Sequence, residues 1–210
     1  MDAHQDGPQN PYGMDEDCRN CPGLCDARER VVHGYGDVGA DFVFVGEAPT
    51  AGAEETGVPF TGDEAGERFQ HILGSVGLNY SLPSSDEPEL DNAYLTYLAR
   101  CRHPDRDPSD EEVTTCEPYL NADIRIINPE VLVPVGQRAL TELGEEYTTT
   151  PADDLRVEER HATTIRGRGF ELAPMIHPAE QTDDQTEEYV EFFLDLLDTD
   201  YRQTKGRRGR

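Results

Sequence analysis

Lysine is nearly missing from this chain of 210 residues, in which Lys205 is the single example. Lysine and arginine together number 18 against 44 aspartates and glutamates, which gives a formal net charge of −26. Acidic surfaces of this kind keep proteins soluble in brine, so we interpret the chain as halophilic, of a haloarchaeal type. The acidity does not exclude nucleic acid as a partner, because at about 1 M salt the Debye length is roughly 3 Å and repulsion is screened.

Long apolar runs are also lacking, and none reaches the roughly 18 residues that a membrane-spanning helix needs. The first 17 residues contain neither the basic nor the apolar segment of a secretory signal. We therefore expect a cytoplasmic protein. In that compartment the five cysteines are expected to be metal ligands or buried thiols rather than disulfides.

Short apolar segments alternate with amphipathic helical patterns along the chain. Strand-like runs occupy 41–46, 93–99, 131–135 and 171–176, and helical periodicity occupies 63–76, 109–124, 136–143 and 185–197. Ser109 and Glu112 have the spacing of a capping box, and Pro118 predicts a kink in the helix that follows. The alternation predicts an α/β fold whose parallel sheet is covered on both faces.

We expect one domain over residues 18–200, preceded by a flexible acidic segment, 1–17, and followed by a basic disordered tail, 201–210. Within the domain, polar residues follow several strands. Gly46 and Glu47 end the first strand, Cys101 follows the second, and His177 follows the fourth. In open α/β sheets ligands bind outside the carboxyl ends of the strands, so these residues are candidates for one site.

Three of the five cysteines lie close together near the N-terminus, and the other two lie far along the chain. Cys18 and Cys21 make a C-x-x-C motif, Cys25 follows closely, and Cys101 and Cys116 lie far along the chain. The spacing alone is compatible with a redox motif, with half a zinc site, or with four thiolates around zinc or an iron–sulfur cluster. A buried core thiol is an equal interpretation for Cys116, which lies on an apolar helical stripe.

Taken in order, several short motifs resemble the iron–sulfur uracil-DNA glycosylases, the thermostable type known as family 4 of that superfamily. The motifs are CRNCP (18–22), VGEAP (45–49), GVPFTG (57–62), CRHPDRDP (101–108), EVTTCEPYL (112–120), GQRA (136–139) and HPA (177–179). The resemblance implies a three-layer α/β/α sandwich with a central, mainly four-stranded parallel sheet. It also implies a monomer that hydrolyses the bond between uracil and deoxyribose in single- or double-stranded DNA, after the base is flipped out of the stack.

The same resemblance implies roles for particular residues. A 4Fe-4S cluster is implied on Cys18, Cys21, Cys101 and Cys116. Glu47 is expected beside the flipped base and the water, and His177 is expected to hydrogen-bond the uracil carbonyl and stabilise the leaving base. The expected substrate-binding residues are Gly46, Ala48, Phe60, which stacks on uracil, and Tyr97.

Three positions depart from the family pattern. Thr50 replaces a glycine, and Ala53 occupies the position of a second functional carboxylate, which we expect Glu54 to replace in catalysis. Tyr97 occupies the position of an asparagine that reads the base edge, and it cannot offer the same donor and acceptor pair. Another deaminated base is therefore an alternative substrate. Two rival functions are a non-catalytic module that binds damaged or single-stranded DNA, and a redox or nucleotide-binding protein that uses the C-x-x-C motif.

Overall fold

The structure, a computed structural model, describes residues 7–201 and contains a six-stranded sheet in the order β1-β3-β2-β4-β6-β5. The strands are β1 (Tyr35–Gly36), β2 (Phe42–Gly46), β3 (Ala93–Tyr97), β4 (Val131–Pro134), β5 (Ile165–Arg166) and β6 (Glu171–Leu172). The four central strands are parallel, which confirms the prediction. The edge strands β1 and β5 pair antiparallel with their neighbours and were not predicted, because two residues are too few for a periodic signal.

The helices are α1 (Pro22–Cys25), α2 (Ala51–Thr56), α3 (Glu64–Ser75), α4 (Asp110–Ile127), α5 (Gln137–Tyr147), α6 (Val157–Arg160) and α7 (Asp183–Asp198). The predicted capping box of α4 is confirmed, since Ser109 N donates to Glu112 Oε2 at 2.8 Å and Glu112 N donates to Ser109 Oγ at 3.3 Å. Although the sequence predicts a kink at Pro118, α4 continues past this residue to Ile127.

Two hydrophobic cores cover the two faces of the sheet. Because side chains alternate along a strand, Phe42 and Phe44 of β2 enter one core, and Val43 and Val45 enter the other. The first core also contains buried residues of α3 and α7, and the second contains buried residues of α4 and α5. This arrangement confirms the three-layer α/β/α sandwich.

Helix α2 is the main local difference from the sequence prediction, which placed no helix or strand between residues 46 and 63. Thr50 begins the helix, because its Oγ1 accepts a hydrogen bond from Ala53 N at 3.2 Å. Gly57 ends it in a left-handed conformation at φ 79°. Residues 144–170, for which the sequence predicted no helix or strand, contain the end of α5, a short 3₁₀ helix (Ala152–Asp154), α6 and β5.

The described parts of both predicted terminal segments contact the domain. Asn10 N donates to Gly34 O at 3.0 Å, so residues near it are tied to the edge of the sheet. At the other end, the Tyr201 ring lies 5.0 Å from that of Phe42. The remaining residues of these segments, 1–6 and 202–210, lie outside the described range. Among residues 7–201, no helix combines the length and apolarity needed to cross a membrane.

Candidate active site

A cavity of about 520 Å³ lies at the carboxyl ends of β2 and β3. Its volume is in the range of small-molecule sites. The fold brings six of the predicted catalytic and substrate-binding residues to its wall, namely Gly46, Glu47, Ala48, Phe60, Tyr97 and His177. They come from the ends of different strands and from the loop between α2 and α3, so only the folded chain brings them together.

Phe60 is held by aromatic and backbone contacts. Its ring centroid lies 4.3 Å from that of Phe69 and 4.9 Å from that of Tyr97. Its backbone N donates to Tyr97 Oη at 2.9 Å, and its carbonyl accepts from Gln70 Nε2 at 3.1 Å. These contacts hold Phe60 at a left-handed φ of 57°. Bulky residues rarely adopt this conformation, and strained residues concentrate at functional sites.

Gly46 makes room for this aromatic pair. A Cβ atom on Gly46 would lie 2.8 Å from Phe60 Cζ and 2.9 Å from ring atoms of Tyr97. Neither ring can move away easily, because Phe60 packs on Phe69 and Tyr97 is buried in the core. A glycine is therefore required where β2 meets the cavity.

His177 is oriented as a neutral hydrogen-bond donor. Ala179 N donates to His177 Nδ1 at 3.3 Å, so the proton of the neutral ring is on Nε2. Burial lowers the pKa of His177, and the negative charges of Glu180 and Asp63 partly oppose this effect. The imidazole can therefore donate from Nε2 to a ligand without carrying a full positive charge.

Glu47 faces the cavity with its side chain 33% exposed. Arg138 Nη1 lies 3.9 Å from Glu47 Oε1, and the same guanidinium contacts Asp110 at 2.6 Å and Glu142 at 3.1 Å. Burial raises the pKa of Glu47, as does the charge of Asp107, whereas Arg138 lowers it. A carboxylate with a raised pKa accepts a proton more readily, as a general base requires.

Glu54, the other carboxylate predicted to be catalytic, is absent from the described wall of the cavity. It is buried, its Oε1 accepts from Glu29 N at 2.8 Å, and its Oε2 lies 3.5 Å from Arg102 Nη1. The physical reason is the turn of α2, which directs Glu54 towards the segment after α1. The fold thus separates Glu54 from Glu47 and His177.

Asp63 also lines the cavity, although the sequence did not identify it as a site residue. Its side chain begins α3 by accepting a hydrogen bond from Gly66 N at 2.7 Å. An aspartate before an amphipathic helix normally indicates only a cap, so its position gave no functional signal. Thr50, a departure from the family pattern, also lines the cavity and donates to Asp63 Oδ2.

A second, much smaller cavity is lined by Cys18, Cys21, Cys101 and Cys116. Arg28 Nη1 donates to the sulfur of Cys101 at 3.0 Å. The backbone N of Arg100 donates to the sulfur of Cys116 at 3.3 Å. Hydrogen bonds to sulfur are typical of sites where thiolates bind iron. All five cysteines of the chain lie in the described range and are free thiols.

The four thiols fit an iron–sulfur cluster by their chemistry. Burial raises the pKa of Cys21 to about 11 and that of Cys101 to about 12, and neighbouring thiols add to both increases. A bound cation would reverse this effect by stabilising the thiolates. Within residues 7–201 no group of three or more His, Cys, Asp or Glu side chains is already arranged to hold a metal ion. Cys25 is outside this cavity wall, and its Sγ lies 3.5 Å from Cys18 O.

Comparisons with known proteins agree with this architecture. The profile of the uracil DNA glycosylase superfamily matches residues 33–198. A Type-4 uracil-DNA glycosylase from Archaeoglobus fulgidus is 37% identical over 164 residues, which cover 77% of this chain and 76% of the relative. A Type-4 enzyme from Sulfurisphaera tokodaii is 33% identical over 176 residues, covering 77% and 70%. A Type-5 uracil-DNA glycosylase from Mycobacterium leprae is 33% identical over 148 residues, covering 60% and 62%. Because the superfamily profile covers residues 33–198, which include the sheet and the residues that line the cavity, this chain belongs to the uracil-DNA glycosylase superfamily.

Proposed function

We propose that this protein is a DNA repair enzyme that hydrolyses the bond between uracil and deoxyribose in DNA. The observation that carries the proposal is the convergence of Glu47, Phe60 and His177 on one cavity at the carboxyl ends of the strands. The names of the relatives, uracil-DNA glycosylases of Type 4 and Type 5, support the same activity.

In this proposal the uracil leaves the base stack and enters the cavity, because its reacting bond is inaccessible inside a duplex. The ring of Phe60 stacks on the base. Tyr97 Oη already accepts a hydrogen bond from Phe60 N, so its own proton is free for a carbonyl of the base. This arrangement supports Tyr97 as a base-binding residue in place of the family's asparagine.

Hydrolysis breaks the bond between C1′ of the sugar and N1 of uracil, and the electron pair goes to the base. His177 Nε2–H donates to the uracil carbonyl and stabilises the charge that develops there. Glu47 accepts a proton from the attacking water, whose oxygen bonds to C1′. The proton then passes to the uracil anion, so the products are free uracil and an abasic site.

For the second cavity we propose a 4Fe-4S cluster held by Cys18, Cys21, Cys101 and Cys116. When bound, the cluster supplies a covalent clamp rather than a reacting group. It would connect the N-terminal segment to the loop after β3 and to helix α4, which lie about 80 residues later in the sequence. The four thiols that share one cavity support this ligand set, and Cys25 is not part of it.

The composition supports a particular working environment. We propose a monomeric halophilic enzyme of the cytoplasm, because the net charge is −26 and the cysteines are free thiols. Binding to DNA in such salt depends less on phosphate contacts, whose contribution falls as salt rises. Stacking on Phe60 and the shape of the cavity would then supply more of the affinity.

Direct assay tests the proposed activity. Anaerobically purified protein in molar salt is incubated with single-stranded and duplex oligonucleotides that carry uracil, hypoxanthine or xanthine, and alkali then cleaves the abasic sites. We expect cleavage at uracil. Cleavage only at another base would overturn the uracil assignment and make Tyr97 a specificity determinant. Tight binding without cleavage would overturn the enzyme proposal and favour the DNA-binding module. Loss of activity above about 1 M salt would contradict the halophilic proposal.

Arg138→Gln is expected to move the acid limb of the activity profile to higher pH. Arg138 stabilises ionised Glu47, so its removal raises the pKa of Glu47, and the active carboxylate is lost earlier as the pH falls. A partly exposed pair contributes up to about 1 kcal/mol, which corresponds to a shift of at most roughly 0.7 pH unit.

The measurement is kcat/KM for uracil release as a function of pH. Arg156→Gln is the matched control, because Arg156 pairs with Glu159 at 3.4 Å and does not line the cavity. An acid limb that stays in place, or moves to lower pH, would contradict the proposed ionic contact with Glu47.

A further inference from the structure

Asp63 presents a carboxylate to the cavity, although the family resemblance assigned it no role. The position that carries the second carboxylate in the family is Ala53 here, which is buried and is not part of the described wall. Glu54 faces Glu29 and Arg102 instead. Among the described acidic residues of α2 and the following turn, Asp63 is therefore the one that reaches the cavity.

Both oxygens of Asp63 are held in place. Oδ1 accepts from Gly66 N at 2.7 Å, and Oδ2 accepts from the hydroxyl of Thr50. Thr50 is itself oriented, because its Oγ1 accepts from Ala53 N at 3.2 Å. The threonine that departs from the family's glycine is thus hydrogen-bonded to Asp63.

A contact between two glycines brings Thr50 and Asp63 together. A Cβ atom on Gly52 would lie 2.3 Å from the carbonyl carbon of Gly62, and one on Gly62 would lie 2.5 Å from Gly52 O. The backbone of α2 therefore packs directly on the turn before α3. This packing fixes the distance between the residue that begins α2 and the residue that begins α3.

Asp63 also lies where the N-terminus of α3 meets the cavity wall. Helix α3 has 12 residues, and its N-terminus, with Ala65 and Gly66, faces the cavity. A helix N-terminus has a partial positive charge and would disfavour a developing cation. The carboxylate of Asp63 lies at that positive end and opposes it with charge of the other sign. Its field reaches the site, because it raises the pKa values of His177 and Tyr97.

We propose that Asp63, oriented by Thr50, is the second carboxylate of the active site and stabilises the positive charge that develops on the sugar. This inference rests on the proposed function. Departure of uracil with the bonding electron pair leaves the sugar cation-like until the oxygen of water bonds to C1′. A fixed negative charge on the cavity wall lowers the energy of that state and costs no reorganisation during the reaction.

Asp63→Asn tests this role without removing the helix cap. Asparagine caps helices about as well as aspartate, so the hydrogen bond with Gly66 N is retained while the charge is lost. Glu64→Gln is the matched control, because it makes the same charge change one residue away on an exposed side chain outside the cavity wall. Thermal unfolding of both variants verifies that the fold is kept.

The decisive readout compares two DNA ligands that need no turnover. One oligonucleotide carries a pyrrolidine abasic nucleotide, which is protonated and mimics the cationic sugar. The other carries the uncharged tetrahydrofuran analogue. We expect Asp63→Asn to reduce the preference for the cationic ligand about 30-fold, as for a unit charge ~8 Å away at an effective dielectric constant of ~20. Its single-turnover excision rate should fall by a similar factor, while affinity for the neutral ligand is unchanged.

The outcomes separate this inference from the proposed function. If wild-type protein excises uracil and Asp63→Asn keeps the full cationic preference, the inference about Asp63 is wrong and the glycosylase proposal stands. The inference is equally wrong if Glu64→Gln loses as much preference as Asp63→Asn. If wild-type protein excises no base at all, the proposed function itself fails. Selective loss in Asp63→Asn supports the electrostatic role.

Discussion

Glu47→Gln is expected to lower the single-turnover rate of uracil excision by about 10²–10⁴-fold, which is the usual range for a lost general base. The amide has nearly the shape of the carboxylate but cannot accept the proton of the attacking water. Affinity for uracil-containing DNA should change little, because the chemical step rather than base binding needs this charge. The measurement is excision at saturating enzyme, with binding measured in parallel.

The two glutamates of α2 provide controls for this effect. Glu55 is exposed and does not line the cavity, so Glu55→Gln should leave the excision rate unchanged. Glu54 is buried against Glu29 and Arg102, so Glu54→Gln should affect stability more than rate. A larger loss of rate in Glu54→Gln than in Glu47→Gln would show that these two carboxylates were assigned the wrong way round.

Cys101→Ser is expected to abolish the iron content and to lower the melting temperature by about 10 °C. A structural metal group contributes directly to folding, and for a domain of this size each 1 kcal/mol corresponds to about 2–4 °C. The loss follows because the cluster would no longer hold the N-terminal segment against the loop after β3 and α4. Iron analysis, visible absorbance and thermal unfolding under anaerobic conditions measure the effect.

Cys25→Ser is the matched control, because the thiol of Cys25 lies in the same segment but outside the cavity wall. This variant should retain both its iron and its melting temperature. The proposed ligand set would be refuted by the opposite pattern, in which Cys25→Ser loses iron and Cys101→Ser keeps it.

Local sequence patterns were sufficient to predict the parts of the fold that depend on local interactions. Strands β2 and β4 are continuous apolar runs, and the start of α4 is specified by Ser109 and Glu112 three residues apart. Helix α2 was missed because it has only six residues. It depends on the cap at Thr50 and on the contact between Gly52 and Gly62, which sequence periodicity does not reveal.

The candidate site was predictable where motif and strand end coincide. Glu47 and His177 follow strands, so the topology of the sheet alone implies that they converge. The placement of Glu54 and Asp63 was not predictable. It depends on which side of a helical turn faces the cavity, in α2 for Glu54 and at the start of α3 for Asp63. Adjacent residues in sequence can have opposite orientations in such a turn, and only tertiary packing selects between them.

The short strands at the two edges of the sheet have a consequence for association between copies of this protein. An exposed edge strand is a template for intermolecular pairing and aggregation, and most proteins discourage such pairing partly through like-charge repulsion. In the concentrated salt that we propose, this repulsion is screened within a few ångströms. Each edge strand here has only two residues, and β1 is also covered by the backbone near Gln9. The short edge strands and the backbone that covers β1 therefore protect the sheet from fibrous aggregation, and this protection does not depend on salt.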